Sequence, residues 1–524
     1  MPFFTSVILM WVVLYFIYPN YQYYIDPDGT AYLTISRRYA EGYYVQAING
    51  YWSPWSCWLT ALLIKQGFAA IPASVIINAT GATGFLYITQ SFFIRFGVIK
   101  HLQWLLTCAL AVFLCCAVFY QSFDDLWECF FLLASLRVML ANGFTSRPSL
   151  WLVNGVIGAL AYFAKAYAFP FFILNTVCCS FLLSSNKKQW IYVSVTSVVA
   201  MLMVSAPWIY ALHYKYGIWT TSTAGPLNTS WYLVGHPYWR EGIAQLLPPA
   251  YPDSPYYWED PYAVNGATPH FWSSWRLAGL QVLRLGMNVV KLHISMLQLS
   301  VFFPVIALVV VFSLKQRDEL RSYPKDIKVA ALSFLLFPLG YLLVNFESRY
   351  IWYMLPLGLV IADFIIRRAH GYIAKKVRVS IVYLVLAISL VIYPVLQMVK
   401  MNHEGYNDHL TAEQLIGSNI YGSFVSNAQT GKEVQGIVRV AYFSGNPCYT
   451  IPYPKEITHE QLLKEIRRYN IPYYYHICRT HGDRDFRFTD EHGRALPEVE
   501  LGKTSGLRVF QTDTLLRRGL VYKR

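Results

Sequence analysis

The stretch Tyr24-Ile25-Asp26-Pro27-Asp28-Gly29-Thr30-Ala31-Tyr32 follows the first long apolar segment and holds the first two acidic residues of the chain. Where a chain leaves a membrane, a carboxylate is costly unless it faces water or a partner, so Asp26 and Asp28 are functional candidates by position. The same residues suit a helix start. Asp28 ahead of a helix over residues 29–41 would satisfy free backbone N–H groups and the positive end of the helix dipole. Both readings stay open on these residues alone.

Outward from this stretch, apolar runs of membrane length recur. Of 524 residues, 55% are hydrophobic, 17% aromatic and only 14% charged. Runs of roughly 18–25 apolar residues cross a hydrocarbon core of about 30 Å as helices. A soluble fold would keep one wet face per helix, a pattern these runs lack. The chain therefore reads as a polytopic α-helical membrane protein. Spans are expected over residues 2–18, 71–93, 102–120, 126–140, two within 150–183, 190–212, 299–314, 328–344, one ending at Arg367 and Arg368, and 379–399, about eleven in all. The first lacks a basic leader and a small-residue cleavage site, so it reads as a retained span.

The positive balance is a topology signal. Lys and Arg cluster after even-numbered spans, whereas the connections after odd-numbered spans are acidic or neutral. The positive-inside rule then puts the N-terminus in the cytoplasm and residues 24–32 outside. An odd number of spans puts the tail outside as well. No basic stripe with interleaved aromatics appears, so no nucleic-acid partner is expected. The lipid bilayer is one partner, and a multi-pass protein of the cell inner (plasma) membrane is the expected localisation.

The expected organisation is a membrane domain over 1–400 and a soluble extracytoplasmic α/β domain over 401–524. In the first outer loop, 19–70, two juxtamembrane helices are expected, over 29–41 and 52–63. A long polar and aromatic loop occupies 214–298. In the tail, Val438-Arg439-Val440-Ala441-Tyr442-Phe443 reads as a strand, residues 458–466 as a helix capped by Thr458, and Pro472-Tyr473-Tyr474-Tyr475-His476 as a strand. Strand, helix and strand make a small α/β domain. Cys448 and Cys478 fall in this region and would be able to pair if it is extracytoplasmic. The remaining cysteines lie in or beside apolar runs without metal spacing.

On this topology one face collects Asp26, Asp28, Asp124, Asp125, Lys165, His236, Arg240, Glu347 and Arg349. Each has a plain structural alternative. Asp124 and Asp125 would cap the fourth span, Lys165 would snorkel to the headgroups, Glu347 and Arg349 would pair, and His236 would be merely exposed. Their convergence fits a site that activates a nucleophile and neutralises an anionic leaving group.

The motifs also resemble a family. Asp28 with Tyr32 four residues on, then Arg37-Arg38-Tyr39-Ala40-Glu41-Gly42, then Trp52-Ser53-Pro54-Trp55-Ser56-Cys57-Trp58-Leu59, is similar to the first outer loop of GT-C glycosyltransferases. That superfamily includes the lipid A aminoarabinose transferase and the protein O-mannosyltransferases. Ser122-Phe123-Asp124-Asp125-Leu126 resembles its second acidic site, Ala161-Tyr162-Phe163-Ala164-Lys165 its Lys-bearing turn, and Glu347-Ser348-Arg349-Tyr350 its late Arg-Tyr motif near the lipid phosphate. One departure is the order of the acids: Asp26 precedes Asp28, and Gly29 stands where the aminoarabinose transferase has a further acid.

The resemblance implies transfer of a sugar from a polyprenyl-phosphate donor to a lipid, glycan or protein acceptor at the outer membrane face. Asp28 would be the general base, with Asp26, Asp124 and Asp125 as the other catalytic candidates. Lys165, Arg349, Tyr350 and Glu347 would line the donor phosphate, and Tyr32, Trp52, His236 and Arg240 the substrate. No cofactor is required, although a carboxylate cluster would be able to hold a divalent metal; no His/Cys ligand spacing is present. The competing readings are a transporter or flippase, and an oligosaccharide transferase or ligase using a preassembled lipid-linked glycan. Clustering of the polar residues at one edge and the lack of an internal repeat weigh against transport.

Overall fold

The computed structural model describes residues 2–119, 124–235, 245–264, 268–315, 323–369, 378–451, 457–479, 485–501, 506–513 and 515. These form two compact units. The first comprises Met1–Pro19, Ser36–Thr229 and His270–Asn402; the second comprises Asn20–Ile35, Ser230–Pro269 and His403–Arg524. The chain enters the second unit for the last time at His403, and residues 20–35 and 230–269 are part of that unit as well.

Up to residue 401 the chain is helical: α1 (Pro2–Tyr21), α2 (Pro27–Glu41), α3 (Tyr44–Ala47), α4 (Pro54–Lys65), α5 (Ala70–Arg95), α6 (Lys100–Phe119), α7 (Asp125–Met139), α8 (Pro148–Ala164), α9 (Ala168–Leu183), α10 (Lys187–Tyr216), α11 (Ala224–Val234), α12 (Trp275–Leu299), α13 (Phe302–Lys315), α14 (Lys325–Leu336), α15 (Leu339–Leu342), α16 (Met354–Arg368) and α17 (Val379–Met401). Among the described residues, five helical stretches are long and apolar enough to cross a membrane: α1, α5, α6, α10 and the stretch opening with α17. Residues 148–164, 168–183 and 302–312 are shorter apolar helices. Lipid offers no hydrophobic drive for helices to pair, so their packing relies on small residues and buried hydrogen bonds. Both are present. A side chain on Gly155 of α8 would run into the Ser197 carbonyl and lie 2.6 Å from the Ala200 Cβ of α10. Gln90 donates to Gln103 at 2.6 Å between α5 and α6, and Ser135 to Asn154 at 2.7 Å between α7 and α8.

One element corrects the expected loop over 214–298, because its last third is the 25-residue helix α12. Its packed face mixes amides with Leu292, Met296 and Leu299. Gln281 and Asn288 donate to the carbonyls of Leu343 and Leu342 at 2.7 and 2.9 Å, satisfying acceptors left open where α15 stops. Its other face leaves Leu283, Met287, Val290 and Ile294 exposed. Arg284, Asn288 and Lys291 interrupt the run, which is why it reads as polar in sequence.

The second unit contains α18 (Tyr406–Gly417), β1 (Phe424–Ser426), α19 (Gly431–Ser444), β2 (Cys448–Tyr449), α20 (His459–Tyr469), β3 (Tyr473–Ile477), β4 (Glu498–Val499) and β5 (Leu507–Gln511). The strands form one sheet in the order β2-β1-β3-β5-β4, with β1 parallel to both β2 and β3 and β5 antiparallel to its neighbours. Side chains alternate across it. Phe424, Tyr475 and Val509 pack with Val438 of α19, while Val425, Tyr474 and Phe510 pack with Leu462 of α20. The helix capped by Thr458 and the strand at 473–477 are as expected.

Residues 438–443 are a correction: they belong to α19, not to a strand. A capping box of Thr430 with Glu433 starts this helix and Gly445, at φ 72°, ends it, so the local β preference of Val438, Val440 and Tyr442 is overridden. No disulfide joins Cys448 and Cys478. Phe424 pairs with both Cys448 and Tyr473, so β2 and β3 flank β1 on opposite sides and Cys478 lies past the end of β3. That separation is roughly 16 Å along the strands and about 10 Å across them, beyond the roughly 7 Å Cα limit of a disulfide.

Candidate active site

In the first unit the site is assembled from three chain reversals. Helix α7 opens with Asp125, and Glu128 stands one turn later on the same face. Helix α8 stops at Lys165, whose backbone is extended, and the turn that follows starts α9. Residues Ser348–Ile351 form a single 3-10 turn that presents Arg349 and Tyr350.

These side chains meet. The Lys165 ammonium pairs with Asp125 Oδ1 and lies 3.9 Å from Glu128 Oε2. Arg349 Nη1 lies 3.6 Å from Asp125 Oδ2, and Arg349 Nε donates to Glu347 Oε2 at 2.9 Å. The Tyr350 hydroxyl donates to Glu347 Oε1 at 3.2 Å, and the Tyr341 hydroxyl to Glu128 Oε2 at 3.4 Å. The rings of Tyr341 and Tyr350 stack at 4.5 Å, and the Lys165 ammonium sits 4.3 Å from the Tyr350 centroid. Side-chain exposure grades from 1% at Glu128 to 35% at Glu347, so the cluster is buried at one end and open at the other. Each carboxylate faces a cation, and among the described residues no group of three or more His, Cys, Asp and Glu side chains is arranged to hold a metal ion.

Asp124, next to this cluster, is buried and accepts from the Ser56 hydroxyl of α4. It stands at the cap position of α7 without making a side-chain cap. Trp52 is also buried. It sits in a tight turn where Asn49 Oδ1 accepts its backbone N–H at 3.0 Å, with its ring 4.6 Å from that of Tyr51.

The acidic stretch lies in the second unit. Asp26 is buried, and its Oδ1 accepts the Gly29 N–H at 2.6 Å. The capping role considered for Asp28 thus falls to Asp26, and α2 begins at Pro27, ahead of Asp28. Asp28 is half-buried in the first turn of α2, and its Oδ1 accepts from the indole N–H of Trp258 at 3.1 Å. Tyr32 follows four residues later on the same face of the helix. Trp258 in turn packs at 5.5 Å against Trp231.

The structure therefore brings Asp125, Lys165, Glu347, Arg349 and Tyr350 into one cluster and holds Asp26 and Asp28 in the other unit. His236 and Arg240 lie outside the described residues, as do Ser122 and Phe123 of the second acidic motif. Three participants were not read from sequence: Glu128, Tyr341 and Trp258. Glu128 carries a usable signal, since an acid three residues after Asp125 inside an apolar run is unusual. Tyr341 and Trp258 carry none, because aromatic residues are common throughout this chain.

The fold that carries these residues is similar to that of solved ArnT structures. No protein-family model and no curated protein sequence matches the chain. Among solved structures, ArnT from Cupriavidus metallidurans bound to undecaprenyl phosphate matches with a TM-score of 0.55 at 12% identity, over 97% of this chain and 97% of that one. The apo state of the same enzyme matches at 0.52 and 12% identity, over 97% and 98% of the two chains. The apo oligosaccharyltransferase of Archaeoglobus fulgidus matches at 0.48 and 10% identity, over 90% of this chain and 69% of that one.

Proposed function

We propose that this protein is an integral-membrane glycosyltransferase that moves a sugar from a polyprenyl-phosphate donor to a lipid, glycan or protein acceptor at the outer face of the membrane. The observation that carries this reading is the convergence of Lys165 and Arg349 on the single carboxylate Asp125, beside stacked Tyr341 and Tyr350. Two cations held at one partly open site suit a phosphate leaving group, which arrives with its own negative charge and gains more as the glycosidic bond breaks. The similarity to an ArnT structure bound to undecaprenyl phosphate supports the same class of donor.

In this scheme Asp28 takes the proton from the acceptor hydroxyl, whose oxygen attacks the anomeric carbon. The bond to the donor phosphate breaks, and Lys165 and Arg349 stabilise the released lipid phosphate. The indole N–H of Trp258 hydrogen-bonds Asp28 Oδ1 and so fixes the orientation of the base. The N-terminus lies in the cytoplasm and the α/β domain outside.

The test is transfer from a synthetic polyprenyl-phosphate sugar by the purified protein, combined with mass spectrometry of lipid-linked sugars in cells with and without it. Asp28→Asn is expected to abolish transfer while insertion and melting temperature stay at wild-type values. Transfer by Asp28→Asn at the wild-type rate would remove Asp28 from the mechanism. Unchanged glycans beside an accumulated solute would point to a transporter.

A further inference from the structure

The acidic stretch is held by the C-terminal domain. Arg439, on the buried face of α19, has only 7% of its side chain exposed. Its Nε donates to Asp408 Oδ2 at 2.6 Å, and its Nη1 lies 3.3 Å from Glu404 Oε1. The same Nη1 donates at 3.2 Å to the backbone carbonyl of Ile25, the residue before Asp26. A buried guanidinium already matched by two carboxylates needs no third acceptor for charge balance, so its contact with a backbone carbonyl is a matter of geometry.

The neighbouring contacts act on residues 20–25. The His403 N–H donates to the Asn20 carbonyl at 2.9 Å. Gly405, at φ +87°, lets the chain approach so closely that any Cβ there would collide with the Tyr23 carbonyl. The Tyr23 ring stacks on His409 of α18 at 4.2 Å and meets Phe443 of α19 at 6.1 Å. Residues 20–25 are therefore clasped by 403–409 and α19, and the clasp ends one residue before the two aspartates.

We infer that Arg439 is a positioning residue for the acidic stretch, and that the C-terminal α/β domain serves to set where Asp26 and Asp28 stand. The catalytic part of this inference rests on the general-base reading of Asp28. The structural part does not. Arginine is needed because its planar fork reaches Asp408 and the Ile25 carbonyl together, which the single ammonium of lysine does not.

The experiment compares full-length wild type with Arg439→Gln and Arg439→Lys in lipid nanodiscs, by hydrogen exchange and by transfer kinetics. Both variants are expected to raise amide exchange in residues 20–35 by about tenfold or more, the scale of one charge-assisted hydrogen bond. Exchange in the β1–β3–β5 sheet should stay unchanged, and kcat should fall while KM for the donor stays near wild type. Wild-type exchange in 20–35, or loosened exchange with unchanged kcat, would overturn the inference. Should Arg439→Gln unfold the whole unit, Tyr23→Ala decides by the same two criteria, because it removes the ring contacts to His409 and Phe443 and leaves the Arg439 ion pairs in place. Absence of transfer by the wild type would refute the proposed reaction, and the exchange data would still decide the clasp.

Discussion

At the scale of single residues, the buried cluster is defined by how much depends on Asp125. It is the shared partner of Lys165 and Arg349, and only 5% of its side chain is exposed. Asp125→Asn leaves two cations facing a neutral amide, with Glu128 as the second partner of Lys165 at 3.9 Å. Breaking such a pair from one side typically costs about 3 kcal/mol or more. A clear drop in melting temperature is expected, and Asp125→Asn/Lys165→Met should recover part of it, since the second change removes the stranded charge. Arg349→Ala acts differently, because Arg349 sits nearer the open end of the cluster. It is expected to raise KM and lower kcat for the polyprenyl donor by a combined factor of about 10²–10³, with little change in acceptor KM; a shift in acceptor KM alone would contradict the role. Asp125, Lys165 and Arg349 were readable from sequence because charge is rare in apolar surroundings. Glu128 is harder to read because it lies inside the apolar run that Asp125 opens.

At the scale of elements, periodicity was a sound guide where a helix had one apolar face and a poor one elsewhere. Helix α20 was legible from Thr458, whose hydroxyl accepts the Gln461 N–H at 3.3 Å. Helix α19 looks like a strand over 438–443 although it carries equally good punctuation, Thr430 and Glu433 in front and Gly445 behind. β-branched residues at alternate positions outweighed caps lying outside the window. Helix α12 is hidden for another reason: Gln281 and Asn288 lie on its packed face, and its apolar residues are divided between that face and the exposed one. The start of α19 gives a pH prediction. Glu433 accepts from Arg479 at 2.7 and 3.0 Å and from the Gln429 and Thr430 amides at 2.8 and 3.1 Å. The Arg479 fork, helped by those amides, holds the Glu433 carboxyl down at about 2, against an ordinary 4.5. A lowered folded-state pKa contributes stability that is fully present above about 4.5 and is lost as pH falls toward about 2. Acid-induced loss of α19 protection, corrected for intrinsic exchange, should therefore be shallower across that window in Glu433→Gln than in wild type.

At the scale of the whole molecule, composition and recurring apolar runs are enough to predict a polytopic helical membrane protein with a small C-terminal α/β domain, and that is the fold observed. The discontinuity of the second unit was not legible. Residues 20–35 and 230–269 read as loops of the membrane domain because pairing across several hundred residues leaves no local pattern. Thiol chemistry tests the arrangement of the tail. With Cys448 and Cys478 on opposite sides of β1, reductant is expected to leave the melting curve unchanged, and mass spectrometry of alkylated protein should find both cysteines modified without prior reduction.

The clasp around residues 20–25 also sets a timetable for biosynthesis. Ile25 leaves the ribosome 414 residues ahead of its guanidinium partner, Arg439. At about 5–20 residues per second the interval between them is roughly 20–80 s. Throughout that time the segment ahead of Asp26 and Asp28 lacks its contact to Arg439, and for most of it lacks those to 403–409 as well. A nascent chain can insert its early helices and still lack a fixed acidic stretch, so ordering of this stretch is among the last events of assembly.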